Sequence, residues 1–132
     1  MRSLLAVFVG GVVGTGLRLG LDLALPHGPA QFPLSTLLIN IVGAFTLAFL
    51  VARLWPTASA ELRAGLGAGL LGSFTTFSAL AVALVTITTD GQGMLALSYL
   101  AATLVGGLAA AALGLRLGRR GTATAPLDLV DE

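Results

Sequence analysis

The sequence predicts an all-α membrane protein of four transmembrane helices. Three observations carry that prediction. The chain is 56% hydrophobic and 10% charged over 132 residues, where a soluble domain carries roughly 25% charged residues. Its mean hydropathy is +0.98, so its surface cannot be hidden from water and lipid must serve as part of its solvent. Finally, the apolar residues gather into four stretches close to the ~20 residues that a hydrocarbon core requires, separated by short Pro- and Gly-containing loops.

The first span runs from about Leu4 to Leu25 and ends at Pro26-His27-Gly28-Pro29. Its apolar part is too long for a signal peptide, and it carries Arg18 and Asp22, so it reads as a membrane span. The second runs from Ser35 to Leu54, with Pro33 before it and Trp55-Pro56 after it. The third starts near Leu62 and reaches about Thr88. The fourth runs from Met94 to Leu117, after a tight turn at Asp90-Gly91-Gln92-Gly93. Residues 1–118 thus form one transmembrane domain, and 119–132 form a polar tail expected to be disordered. This layout leaves no room for a soluble domain, so function is expected to lie in the membrane.

Charge placement sets the expected orientation. With four spans, both termini and the loop between spans two and three share one side. That side holds Arg2, Arg53, Arg63, Arg116, Arg119 and Arg120, while the loops at 26–34 and 89–93 hold no Arg or Lys. Basic loops stay cytoplasmic, which predicts cytoplasmic termini in an inner or plasma membrane. The net charge of +1 gives no sign of nucleic-acid binding, and the absence of cysteine excludes disulfides and thiolate chemistry. The only histidine, His27, lies in a loop. With no nucleophile–base pair in view, enzymatic activity is not expected.

Glycines recur at spacing four: Gly10 and Gly14, Gly16 and Gly20, Gly65 and Gly69, Gly114 and Gly118. Such pairs let helices approach closely in lipid, where packing replaces the hydrophobic drive. Four helices packed so tightly cannot also enclose a water-filled pore, so a transport role requires an oligomer.

A few polar side chains fall at membrane depth, where each is costly unless partnered. Arg18 and Asp22, four apart on one helix face, read either as a snorkelling pair at the interface or as an electropositive vestibule for anions. Asn40, in the second span, suits an interhelical hydrogen bond, and its amide can also donate to an anion. The densest feature is Gly69-Leu70-Leu71-Gly72-Ser73-Phe74-Thr75-Thr76-Phe77-Ser78 in the third span. Glycines followed by hydroxyl residues make a poor helix interior and predict a kink or a break. A break would bare backbone carbonyls, which broken membrane helices use to coordinate cations. Tyr99 and Thr103 stand one turn apart in the fourth span and suit ordinary packing roles.

These residues, in this order, resemble the small fluoride channels of the Fluc or CrcB family. Span one offers Gly10-Gly11-Val12-Val13-Gly14-Thr15-Gly16-Leu17-Arg18, similar to GGxxGxxxR. Span two offers Pro33-Leu34-Ser35-Thr36-Leu37-Leu38-Ile39-Asn40-Ile41-Val42-Gly43-Ala44-Phe45, similar to P-x-(G/S)-T-L-x-x-N-x-x-G-x-F, and 69–78 is similar to GxxGxxTTFS. The resemblance covers about residues 4–117. It implies an antiparallel dimer with two narrow pores along the subunit interfaces and passive movement of fluoride out of the cell. It further implies that Phe77 lines a pore, that Asn40 donates to fluoride and that Arg18 sits near the mouth. Ser78, Tyr99 and Thr103 would supply hydroxyls along the path. The carbonyls of Gly72 and Thr75 would hold a structural sodium ion shared with the partner subunit.

One departure stands out. The family usually reads TTFSTF, whereas here Ala79 and Leu80 follow Ser78. A leucine lacks the electropositive edge that an aromatic ring can turn to an anion. Together with the arginine bias, which fixes one orientation, this points to one member of a heterodimer with an oppositely inserted paralogue. Two other readings remain open. A non-conducting assembly subunit is compatible with Leu80. A small multidrug exporter would need an embedded carboxylate, and the first span offers only Asp22 near its end.

Overall fold

The computed structural model describes residues 1–28 and 31–120. Its elements are α1 (Arg2–Ala24), α2 (Leu34–Arg53), α3 (Ala60–Ala64), a π-helical segment (Gly65–Leu71), α4 (Gly72–Phe74), α5 (Phe77–Thr89) and α6 (Gly93–Arg120). No strand occurs among the described residues. Four helical runs are long and apolar enough to cross a membrane: α1, α2, the composite run Ala60–Thr89, and α6. The expected all-helical, four-span fold with a broken third helix is therefore what the chain adopts.

Local chemistry places the ends. Pro33 precedes α2, where its fixed φ starts a helix and its missing N–H costs nothing. Ser59 caps α3, its Oγ accepting from Leu62 N at 3.2 Å. Between α5 and α6 the chain turns at Gly91, whose φ of 78° no β-carbon-bearing residue adopts comfortably. Helix α6 continues through Arg119 and Arg120, while 121–132, the rest of the expected tail, lies outside the described residues.

The four spans associate as two close pairs, α1 with the π segment and α2 with α6. Glycines make both pairs possible. A β-carbon at Gly10 or Gly14 would run into the backbone of Gly65 or Leu70, and one at Gly69 would lie 2.7 Å from the Val7 carbonyl oxygen. In the second pair, a β-carbon at Gly118 would lie 2.7 Å from Ala52 Cβ, and one at Gly114 would meet the Phe45 carbonyl. The fourth spacing-four pair behaves differently. Gly16 and Gly20 have nothing within 4 Å of a β-carbon position, so identical spacing serves packing at three pairs and not at this one.

The interior is small. Ile39, Leu71 and Phe74 form its centre, and in α1 only Gly14 is buried. Large apolar side chains such as Leu4, Phe8, Val105 and Leu108 stand exposed. In water such a surface would aggregate; in a bilayer it is solvated by acyl chains. The chain is a multi-pass membrane protein.

Candidate functional site at the helix break

The third span is irregular from Gly65 to Thr76. In the π segment the extra residue per turn sends Gly72 N–H back to the Gly67 carbonyl as well as to that of Gly69; such insertions are frequent at functional sites. After α4 the backbone leaves helical geometry altogether: Thr75 has ψ 155° and Thr76 has φ −148°, ψ 118°. Helix α5 then starts afresh from Thr76.

Side chains take over the hydrogen bonds that the break interrupts. In an unbroken helix Thr76 N–H would bond the Gly72 carbonyl and Ala79 N–H the Thr75 carbonyl. Instead, Thr76 N–H donates to Asn40 Oδ1 at 2.9 Å, and Ala79 N–H donates to Thr76 Oγ1 at 3.2 Å. Asn40 Nδ2 completes a two-point clamp by donating to the Thr76 carbonyl at 3.0 Å. The Thr75 hydroxyl donates to the Leu71 carbonyl at 2.8 Å, tying the end of α4 together. The carbonyls of Gly72 and Thr75 are thereby left without their helical donors. Two such oxygens at membrane depth are unfavourable unless they face protein, water or an ion.

Three recesses open around the break. One, of about 350 Å3, is lined by Asn40, Gly43, Leu71, Gly72 and Thr75 among others. A second, of about 240 Å3, is lined by Asn40, Thr75, Thr76, Phe77, Leu80 and Thr103. The third, of about 360 Å3, has Arg18, Asp22, Thr76, Ser78, Ala79 and Val82 around it. Asn40 belongs to the first two and Thr76 to the last two, so the clamped pair stands between all three.

The residues singled out in the sequence divide among these recesses. Gly72 and Thr75 share the first, and Asn40, Phe77 and Thr103 share the second. Arg18 and Ser78 meet at the third, where Arg18 and Asp22 are neighbours without an ion pair joining them. Ser78 Oγ lies 3.2 Å from Thr76 Oγ1. Phe77 is 81% exposed, whereas Leu80 is 6% exposed. The phenyl ring therefore projects away from this subunit, and the leucine packs into it.

Tyr99 is fully buried and lines none of the three recesses directly. Its ring stands edge-on to Phe32 at 5.2 Å and 80°. The Tyr99 hydroxyl lies near those of Thr36 and Thr103 without a formed hydrogen bond. Thr103 Oγ1 donates to the Tyr99 carbonyl at 2.9 Å. Ser35 and Thr36, in the first turn of α2, are buried too, and Ser35 Oγ has no hydrogen-bond partner. Those two residues were not expected at the site, because Ser-Thr after a proline reads as an ordinary helix start. Thr76 was also missed as an individual; its place between two hydroxyl residues hid its part in restarting the helix.

Comparison with known proteins gives the family. Residues 5–115 match the family model described as CrcB-like protein, Camphor Resistance (CrcB). A Pseudomonas putida protein named fluoride-specific ion channel FluC is 41% identical over 117 residues, covering 86% of this chain and 94% of that protein. A Bacillus cereus protein named fluoride-specific ion channel FluC 1 is 37% identical over 123 residues, covering 89% and 90%. A Paracoccus denitrificans protein with the name fluoride-specific ion channel FluC is 37% identical over 118 residues, covering 89% and 95%. With the family model spanning nearly the whole transmembrane region and such relatives covering most of the chain, this protein belongs to the CrcB-like family.

Proposed function

We propose that the chain is a subunit of a fluoride-specific channel that passes fluoride passively out of the cytoplasm. The observation that carries this reading is the recess at the break, where one amide, three threonines and one aromatic ring converge. Fluoride is small and strongly hydrated, so a selective path must replace its water with closely placed donors. The free hydrogen of Asn40 Nδ2 and the ring edge of Phe77 are such groups, and the Thr103 hydroxyl becomes one when it turns from the Tyr99 carbonyl to which it donates. Arg18, beside the third recess, would raise the local concentration of anions at its mouth. Relatives named as channels support transport over catalysis, in line with the absence of an enzyme-like residue set in the sequence.

The exposure of Phe77 supports assembly as an antiparallel dimer, because a ring that projects from one subunit needs a second to complete a pathway. The carbonyls of Gly72 and Thr75 fit a structural sodium ion. They are hard oxygen donors, they have lost their helical partners, and they line one recess. A cation bound there would neutralise the exposed carbonyl dipoles at the centre of the membrane. It would be shared with the same residues of a second copy or a paralogue, and would not itself be transported.

A heterodimer is favoured over a homodimer by the arginine bias and by Leu80. Six arginines on one side fix a single orientation with cytoplasmic termini, whereas an antiparallel homodimer needs both. Leu80 gives the second recess an aliphatic wall, so a ring at that point would have to come from a paralogue. Reconstitution tests the proposal: the chain is placed in liposomes loaded with fluoride or chloride, alone and with a paralogue of opposite charge bias. Selective fluoride efflux supports it. Chloride efflux of equal rate, or efflux dependent on a proton gradient, contradicts it.

A further inference from the structure

Asn40 does more at the break than a donor to an anion would need to do. Its Oδ1 holds the Thr76 N–H at 2.9 Å and its Nδ2 holds the Thr76 carbonyl at 3.0 Å. The partners fix which end of the amide is which, since an N–H can be met only by the oxygen. That N–H belongs to the same planar peptide unit as the Thr75 carbonyl. A trans peptide points its N–H and C=O in opposite directions. Gripping the N–H therefore aims the Thr75 carbonyl away from the Asn40 amide. The same hydrogen bond deprives the Gly72 carbonyl of the donor it would have in an intact helix. One side chain thus sets both oxygens of the proposed cation site.

The approach of α2 to the break is specific. Gly43, one turn beyond Asn40, is buried against the methyl group of Thr75, with no space for a β-carbon. Asparagine is also the side chain whose length and polarity suit the task. Aspartate offers no donor when ionised, serine is too short to bridge N–H and C=O of one residue, and leucine offers neither group.

We propose that Asn40 is the positioning residue of the cation site, linking that site to the anion pathway through a single amide. The inference rests on the sodium reading given above. Of the two hydrogens on Nδ2, one is committed to the Thr76 carbonyl, and one is left for the recess that holds Phe77 and Thr103. Loss of the clamp lets Thr76 N–H return to Gly72 and lets the Thr75–Thr76 peptide rotate, so cation binding weakens even where the pathway donor is intact.

The test separates positioning from direct donation. In the full-length protein, Thr76 is replaced by its α-hydroxy acid, which turns the Thr75–Thr76 amide into an ester. This removes the N–H and leaves every Asn40 atom in place, while the Thr75 carbonyl becomes a weaker ester oxygen; Asn40→Leu, which keeps that carbonyl an amide, controls for the second effect. Thermal stability is then titrated with sodium for the wild type, the ester and Asn40→Leu. The expected result is a sodium midpoint raised roughly tenfold or more in both variants, the scale of one lost hydrogen bond to a demanding site. An ester midpoint within about twofold of wild type overturns the proposal, because a pure anion donor would leave it there. Should sodium fail to stabilise the wild type, the cation-site reading itself falls, and hydrogen exchange decides the clamp. A Thr76 amide that exchanges roughly tenfold faster in Asn40→Leu then leaves Asn40 as the clamp of the break but overturns its role at a cation site; an equal rate in both proteins overturns the clamp as well.

Discussion

Two glycines of α1, Gly14 and Gly16, are two residues apart and so lie on different faces, and substituting each by alanine should have opposite effects. A β-carbon at Gly14 would collide with the Leu70 carbonyl oxygen and lie 3.0 Å from Leu70 C and 3.1 Å from Phe74 N. Carbon atoms rest at about 3.5–4.0 Å, so the helices must part by roughly 0.5 Å or more. All of these atoms are backbone and cannot rotate aside. Overpacking of this kind costs about 1–3 kcal/mol, and the rigid neighbours place Gly14→Ala near the top of that range. Alanine returns up to about 1 kcal/mol through helix propensity, leaving a net loss of about 2 kcal/mol. Gly16→Ala receives the same gain and meets nothing within 4 Å. The two variants should therefore differ by about 3 kcal/mol, roughly 150-fold in the folding equilibrium.

Trp55 supplies the assay. It is the single tryptophan, and its ring lies 3.3 Å from the β-carbon position of Gly67 in the π segment. Parting α1 from that segment changes the tryptophan's surroundings. Equilibrium unfolding in mixed micelles, followed by fluorescence, reads both variants against the wild type. Equal stability of Gly14→Ala and Gly16→Ala would refute the packing of α1 described above.

Other expectations follow from single contacts. Thr76→Val keeps the shape but removes the hydroxyl that caps α5, and thermal unfolding should show a loss of about 1 kcal/mol, with Thr76→Ser close to wild type. Phe77→Leu should leave the helical fold of the subunit unchanged by circular dichroism, because the ring is 81% exposed within it, while fluoride efflux falls by roughly tenfold or more if the ring edge faces the ion. Ser59→Ala removes the cap of α3 and should cost about 1 kcal/mol, with efflux per folded protein unaltered; a selective loss of efflux would place α3 in the pathway.

The spans were legible because membrane thickness imposes a length that hydropathy alone can reveal. The break was legible for a similar reason, since Gly72 followed by Ser73, Thr75 and Thr76 leaves the backbone with competing side-chain partners. Its location at Thr75–Thr76 was not, because it depends on Asn40 reaching across from another helix, 36 residues away. The π segment was also hidden, as Gly65, Gly67 and Gly69 suit an α-helix in lipid equally well. Spacing could not separate Gly10 and Gly14 from Gly16 and Gly20; only the position of the third span does. Leu80 shows the limit most clearly. Three residues from Phe77, it lines the second recess with that ring as spacing suggests, yet it does so from within the subunit while the ring projects outward, a difference in burial that spacing does not reveal.

The most direct test of the account is anion efflux from proteoliposomes, measured with a fluoride electrode and a chloride electrode. The protein is reconstituted alone and together with a paralogue whose arginines favour the opposite orientation. The expected result is fluoride efflux with no matching chloride efflux, requiring the paralogue if one subunit's wall is incomplete at Leu80. Vesicles that release neither anion in either preparation, or both at similar rates, would contradict a fluoride-selective channel subunit.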